Sequence, residues 1–222
     1  MRQVYFSVSG IGTARTSELF HKLKLRLPDR IGDRAVVFVD NPFKGWPHPL
    51  VWAEDEKSLE PSSRLLKCWT ALNEAVCKRV RPALEDGSLV ITNRFGLDAL
   101  LFATALEECE GGNCEAERVH HALVKLRIIE QKLPPPIYLI PRVGDRTAIR
   151  EEWLSQSPAL NSVDPETLCR YLDHEEATIA RYFEPRFGQN KPFFLEASLR
   201  LDQLCDVAVE RITTTLRQRA VA

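Results

Sequence analysis

The segment VRPALEDGSLVITNRF, residues Val80 to Phe95, contains the transition that decides the fold. Its first part closes a long helix that the apolar periodicity predicts from Ser62 to Leu84, with Pro82 near the end. Glu-Asp-Gly marks the turn, and SLVIT is a short, continuously apolar run typical of a buried strand. The strand ends in a polar pair, Asn93 and Arg94. This is the helix–turn–strand pattern of an α/β protein.

Four more short apolar runs alternate with helical stretches along the chain. They are VYFSV (4–8), AVVFV (35–39), PPPIYLIP (134–141) and PFFLEA (192–197). Helices are predicted over about 14–27, 62–84, 96–108, from the polar break at 109–114 to 133, 146–154, 165–182 and 201–219. Parallel strands need crossover connections, and strands that are apolar throughout have both faces buried. We therefore expect one α/β domain over residues 1–222, with about five parallel strands between two layers of helices.

The composition argues against a nucleic-acid-binding or membrane-bound protein. The 222 residues carry a net charge of −1, which provides no field to attract nucleic acid or an anionic membrane surface. No apolar run has the length of a membrane-spanning helix, and no basic-then-apolar leader is visible. We expect a cytoplasmic protein whose six cysteines are free thiols.

The loop after the first strand, Ser9 to Ser17, has the outline of a phosphate-binding loop. In the pattern G-x-x-x-x-G-K-[ST], glycines let backbone N–H groups close on phosphates, Lys neutralises them and the hydroxyl holds Mg²⁺. Here Ser9 and Ala14 replace the glycines, Arg15 stands at the Lys position, and Thr16 matches. On its own this match is weak, and an ordinary strand-to-helix turn is about equally consistent. The candidate phosphate-binding residues are Ser9, Gly10, Gly12, Thr13, Ala14, Arg15, Thr16 and Ser17.

A second interpretation of the same loop is dinucleotide binding. Gly10-Ile11-Gly12 supplies G-x-G, and Asp40 ends the second strand, where a ribose-binding acid belongs. The third glycine position is Arg15, which blocks close packing of helix on strand. We rank this interpretation, an NAD-binding Rossmann-like protein, lower.

The segment from Val80 to Phe95 resembles the part of thymidylate kinases that runs into a strand ending Asp-Arg-Tyr or Asp-Arg-Phe. Val4–Ser17 is similar to that family's strand and phosphate loop, and VVFVDNP occupies the place of the strand ending Arg-Glu-Pro. PPPIYLI resembles the strand before the lid, and FFLEASLRLDQLCDVAVERI the closing strand, loop and helix. The resemblance covers nearly the whole chain in order and implies a three-layer P-loop NTPase fold.

Departures from the family pattern fall at the acceptor side. Asn93 replaces the acid of Asp-Arg-Phe, and Asp40-Asn41-Pro42 stands in place of Arg-Glu-Pro. The Asp-Arg pair of the family's long helix falls near Ala71-Leu72, which are apolar. The acceptor pocket is therefore either rebuilt for another nucleotide or no longer functional.

The resemblance implies Mg²⁺-dependent transfer of the ATP γ-phosphate to a (deoxy)nucleoside monophosphate such as dTMP. Arg15 and Arg94 would neutralise donor and acceptor phosphates, and Thr16 would contact Mg²⁺. A lid at about 142–160 would bring Arg146 and Arg150 to the transferred phosphate. Two arginines four residues apart are also typical of a solvent-exposed helix face.

The carboxylate for the outer shell of Mg²⁺ is predicted to be Asp40, because it ends a strand beside the loop; a plain turn-forming role is about as consistent. The main rival to a kinase is a catalytically impaired, kinase-shaped nucleotide-binding or regulatory protein.

Two further expectations concern partners and metals. The resemblance suggests a homodimer through the long helices, with Cys68, Trp69 and Leu72 on the shared face. The cluster of two cysteines and two adjacent histidines at 109–121 invites a zinc interpretation. We give it low weight, because its C-x₄-C spacing exceeds the usual zinc pattern and neighbouring histidines point to different helix faces.

Overall fold

A five-stranded parallel sheet forms the centre of the protein. The computed structural model describes residues 3–11, 13–46, 48, 50–51, 60–112, 114–131, 133–142, 144–183, 192–196 and 198–221. The strands are β1 (Tyr5–Val8), β2 (Val36–Val39), β3 (Leu89–Asn93), β4 (Ile137–Pro141) and β5 (Phe193–Leu195), in the order β2-β3-β1-β4-β5. Val8 of β1 lies level with Asn93 on one side and Leu139 on the other. The predicted α/β class and parallel sheet are confirmed.

Helices connect the strands as the sequence periodicity predicts. They are α1 (Thr13–Arg26), α2 (Pro61–Ala75), α3 (Arg81–Glu85), α4 (Gly96–Cys109), α5 (Glu115–Gln131), α6 (Arg146–Gln156), α7 (Pro165–Tyr182) and α8 (Leu201–Val221). Short 3₁₀ turns lie at Pro28–Arg30 and Pro158–Ser162. Among the described helices, none is long and apolar enough to cross a membrane.

The two faces of the sheet build separate cores because alternate strand residues point to opposite sides. On one face, strand residues meet α1 and α8; the members include Phe6, Val8, Ile91, Leu139, Leu19, Leu23, Leu204 and Ile212. On the other face, the intervening residues meet α3, α4, α6 and α7; the members include Tyr5, Val90, Tyr138, Ile140, Leu84, Leu97, Trp153 and Tyr171. Burial on both faces explains why β1, β3 and β4 are continuous apolar runs, whereas the edge strands β2 and β5 are only partly buried.

The long helix predicted up to Leu84 is present but widens before its end. Residues Val76–Val80 form a π-helical turn that joins α2 to α3, and the amide of Arg81 donates to the Val76 carbonyl. Proline carries no N–H to donate to the fourth carbonyl before it. A wider turn just before Pro82 accommodates that loss without ending the helix.

The residues proposed for a dimer face are buried inside the protein itself. Cys68, Trp69 and Leu72 are 1%, 9% and 2% exposed, and they pack with Phe43 and the α4 alanines. That assignment of the face is therefore wrong: the apolar side of α2 points to the protein's own core. A homodimer through another face stays a prediction.

Candidate functional site

The loop between β1 and α1 lies at the carboxyl end of the central strand. Ligands of open parallel sheets bind at this edge, and the first N–H groups of α1 have no partner within the helix. Such a helix start attracts anions. Of the predicted phosphate-binding residues, Gly12 and the side chains of Thr13 and Ala14 lie outside the described part, and Ser17 is exposed at the start of α1.

The backbone conformation at position 10 of this loop favours glycine. Its φ is +127°, a conformation that residues with a side chain rarely adopt, and a Cβ there would lie 3.0 Å from Cγ2 of Ile140. The Gly10 amide donates to Oδ1 of Asp98 at 3.3 Å. Ser9 is fully buried, and its hydroxyl lies 2.8 Å from that of Ser7. Small residues at 9 and 10 therefore let the loop approach β4 closely.

A buried ion pair lies under the loop. Arg94, directly after β3, donates from Nη1 to Oδ1 of Asp98 at 2.9 Å, with side-chain exposures of 3% and 0%. The same nitrogen donates to the Gly10 carbonyl at 3.3 Å. Asp98 also accepts from the amide of Phe95 at 2.7 Å, in the first turn of α4. The pair thus joins the end of β3, the start of α4 and the β1–α1 loop.

The hydroxyl of Thr16 belongs to the same cluster. Thr16 is fully buried, and its Oγ1 accepts from Nη2 of Arg94 at 3.2 Å. Arg94 therefore contacts both ends of the loop, at Gly10 and at Thr16. The structure brings together four of the predicted site residues: Ser9, Gly10, Thr16 and Arg94.

Arg94 holds an unusual backbone conformation to do so. Its φ is +62°, the left-handed region, which costs about 1–2 kcal/mol for a residue with a Cβ. Its amide donates to the Val8 carbonyl at 2.9 Å, which continues the β1–β3 ladder by one bond. Strained residues of this kind are retained where the surroundings over-determine them, often at functional sites.

Burial dominates the electrostatics around the ion pair. It raises the pKa of Asp98, although Arg94 and neighbouring donors act in the opposite direction. Burial also raises the pKa of Glu175 on α7 to about 8, with Arg94 again opposing. The pKa of His48 falls to about 3, because of burial and then the charge of Arg94. At neutral pH, Glu175 and His48 are therefore uncharged neighbours of Arg94.

Arg15 and Arg146 make contacts with other parts of the protein. Nη2 of Arg15 donates to the Leu199 carbonyl at 3.1 Å, so its guanidinium reaches the β5–α8 loop. Arg146 is exposed and forms ion pairs with Asp173 and Glu176 of α7. Arg150, also on α6, is half-buried. Their roles as donor and lid cations stay predictions.

Asp40 does not lie beside the loop, which corrects the sequence-based expectation. Strand β3 separates β2 from β1, so the end of β2 is two strands away. The Asp40 side chain is 59% exposed and pairs with Lys24 at 3.2 Å. The carboxylate that contacts the loop is Asp98. A signal for it existed in the sequence, because an acid in the first turn of a helix favours capping of the preceding amides.

The strand order also argues against dinucleotide binding. In the dinucleotide fold the second strand is adjacent to the first, so that its terminal acid reaches the ribose. Here β3 occupies that place. The third-ranked interpretation is therefore not supported.

The described contacts of these histidine and cysteine side chains do not support the zinc interpretation. His120 is fully buried between Trp69 and Tyr182, with ring centroids 5.6 and 5.7 Å away. The Cys114 thiol donates to Glu108 at 2.9 Å and lies 3.6 Å from the Arg181 guanidinium. Within the described residues, no three His, Cys, Asp or Glu side chains are grouped to hold a metal ion.

The Thr16 hydroxyl does not fit a magnesium ion in this arrangement. Mg²⁺ requires oxygen ligands at 2.0–2.1 Å in octahedral geometry. The Thr16 oxygen already accepts from a guanidinium at 3.2 Å, so that a divalent cation would share its ligand with a second positive charge. The role of Thr16 as a metal ligand stays a prediction that the described contacts do not support.

Comparison with solved structures identifies a relative of this architecture. The thymidylate kinase from Ehrlichia chaffeensis superposes with a TM-score of 0.61, over 94% of this chain and 98% of that one. The chain has a thymidylate kinase-like fold. Sequence identity is 15%, which shows the fold alone. Neither a protein-family model nor a curated protein sequence matches the chain.

The thymidylate kinase-like fold confirms the expected three-layer α/β architecture with a five-stranded parallel sheet. The sequence predicts Arg94 as a site residue but not its partner Asp98.

Proposed function

We propose that this chain binds ATP at the β1–α1 loop and transfers its γ-phosphate to a (deoxy)nucleoside monophosphate such as dTMP. The observation that carries the proposal is the convergence of Gly10, Thr16 and Arg94 at the carboxyl end of the central strand, under the start of α1. The fold shared with a thymidylate kinase supports the same reaction class.

The reaction needs positioning and positive charge more than covalent chemistry from the protein. An oxygen of the acceptor phosphate attacks the γ-phosphorus, the bond to the β–γ bridging oxygen breaks, and ADP leaves. The N–H groups at the start of α1 would bind the donor phosphates. Arg15 would neutralise the donor phosphates, and Arg94 would donate to the acceptor phosphate while its Nη1 stays paired with Asp98. Arg146 and Arg150 would approach as the 142–160 region closes.

Proteins of this fold use ATP with Mg²⁺ in general. Because the contacts of Thr16 do not fit the ion, no step proposed here is assigned to it.

A catalytically impaired nucleotide-binding protein is the second candidate. The favouring observation is that Arg94 is 3% exposed and that its described partners include internal groups: Asp98, the Gly10 carbonyl, Thr16 and the Phe102 ring. A guanidinium held in this way has no free face for an acceptor phosphate until the pair opens. The acid of Asp-Arg-Phe is also missing at Asn93.

A turnover assay with a back-substituted variant separates the two candidates. The purified protein is incubated with ATP, Mg²⁺ and each (deoxy)nucleoside monophosphate, and products are separated by chromatography. Equal amounts of ADP and nucleoside diphosphate support the kinase, and Arg15→Lys with Ala14→Gly should increase that rate. Nucleotide binding without transfer in both proteins supports the second candidate. Absence of binding contradicts both.

A further inference from the structure

The Arg94 guanidinium contacts the Thr16 hydroxyl, which stands at the position of the metal-binding hydroxyl of a phosphate loop. In such loops the ion lies at the Ser/Thr hydroxyl, next to an acid and the phosphates. Here Nη2 of Arg94 lies 3.2 Å from Oγ1 of Thr16, while Nη1 lies 2.9 Å from Oδ1 of Asp98. The guanidinium therefore bridges a hydroxyl and a carboxylate, which are the two kinds of protein group that the ion would use.

The carboxylate end of this bridge is held from three sides. The amides of Gly10 and Phe95 donate to Asp98 at 3.3 and 2.7 Å, in addition to Arg94. Both charged side chains are almost fully buried, so solvent ions screen them little. The other titratable groups described as interacting with Arg94 are Glu175 and Tyr171 on α7 and His48. The pKa values of about 8 for Glu175 and about 3 for His48, and the pKa of Tyr171 that burial raises, leave all three uncharged at neutral pH.

A magnesium ion at Thr16 would have to displace this arrangement. At an Mg–O distance of about 2 Å, the ion would lie next to the guanidinium that donates to the same oxygen. The ion and the guanidinium, both positively charged and in contact with the same oxygen, would repel each other. Moving Arg94 away would leave Asp98 buried without its cation. A guanidinium, in contrast, can bind phosphate oxygens directly through its planar set of donors.

We infer that the Arg94–Asp98 pair takes the place of the divalent ion at this loop, so that the chain binds a nucleoside diphosphate or triphosphate without Mg²⁺. This inference rests on the proposed nucleotide site at the β1–α1 loop. The pair provides hydrogen-bond donors in place of a metal coordination sphere, and it contributes little net charge because Asp98 offsets Arg94.

The test is a calorimetric titration of the full chain with ADP, once in excess Mg²⁺ and once in excess EDTA. We expect the two dissociation constants to agree within about twofold. Tightening of about tenfold or more by Mg²⁺ would overturn the inference and leave the proposed nucleotide site intact. No binding in either buffer would overturn both.

A charge-neutral variant provides the second measurement. Arg94→Gln together with Asp98→Asn removes both charges and avoids leaving one of them buried alone. Thr16 then faces an uncharged amide, and we expect Mg²⁺ to strengthen ADP binding by about tenfold in this variant. Arg79→Gln is the matched control, because Arg79 is exposed and donates to the Phe38 carbonyl on the β2 edge. An unchanged Mg²⁺ dependence in the double variant would contradict the assignment of the pair as the substitute for the ion.

Discussion

Glu175 provides a quantitative test of the electrostatics around the site. It lies on α7, is 2% exposed, and has a pKa raised by burial from 4.5 to about 8. The folded protein therefore keeps this carboxyl protonated up to about pH 8, whereas the unfolded chain ionises it near pH 4.5. We predict that Glu175→Gln stabilises the protein at alkaline pH and has little effect in acid.

The sign and the size follow from proton linkage. With a raised folded-state pKa, the contribution of Glu175 is fully present below about pH 4.5 and is lost as the pH rises to about 8. One pKa unit corresponds to about 1.4 kcal/mol, so the loss has an upper limit of about 5 kcal/mol. Relaxation and water entry reduce such values, and we expect about 2–4 kcal/mol of stabilisation by Gln at about pH 9. At about pH 5 the difference should be within about 1 kcal/mol.

Urea unfolding at both pH values measures these differences. Glu176→Gln is the matched control: it makes the same change one residue along the helix, at a side chain that is 39% exposed and pairs with Arg146. Exposed pairs contribute about 0–1 kcal/mol, so the control should show no comparable pH dependence. Parallel pH profiles for wild type and Glu175→Gln would refute the reasoning, because Glu175 would then ionise equally in both states.

Three further predictions concern the loop and its neighbours, with stability measured by urea unfolding. Asp98→Asn should lower the free energy of unfolding by about 3–5 kcal/mol, and adding Arg94→Gln should recover part of it, because the first change leaves a buried charge unpaired; an additive pair would contradict the coupling. Gly10→Ala should lower the free energy of unfolding by about 1–3 kcal/mol, and Gly45→Ala by about 1 kcal/mol. Both glycines have positive φ, but only a Cβ at Gly10 would meet β4, since Gly45 has open space around it. Equal losses would show that contact with β4 is unimportant. Asp40→Asn should change stability by less than about 1 kcal/mol and leave ADP affinity within about twofold, as its carboxylate is exposed and away from the loop; a large loss of affinity would restore Asp40 to the site.

The fold was predictable from sequence because its signals are local. Each strand is a short apolar run, and the helix ends carry Pro, Gly or Asp at the positions that chain geometry requires. The predicted helix over 165–182 agrees with α7 at both ends. The sequence predicts one uninterrupted helix up to Leu84, whereas the structure has a π-helical turn at Val76–Val80. This turn accommodates the N–H that Pro82 lacks.

The site was only partly predictable because it depends on strand order, which the sequence does not specify. The expectation for Asp40 requires the end of β2 to lie beside the loop, whereas β3 lies between β2 and β1. The sequence does not single out Asp98, because a carboxylate in the first turn of a helix commonly caps that helix, as Asp98 does at the Phe95 amide. Its contact with the Gly10 amide becomes visible only when β1 and β3 are paired. Arg94, directly after a buried strand, contacts the loop at the Gly10 carbonyl, and its role at the acceptor phosphate stays a prediction.

Hydrogen–deuterium exchange of the full chain, with and without ADP, tests the central claim most directly. The account predicts that ADP slows exchange in segments 9–17 and 93–98, which form the loop and the ion pair beneath it. Protection that leaves segments 9–17 and 93–98 unchanged, or no protection at saturating ADP, would contradict a nucleotide site at the β1–α1 loop.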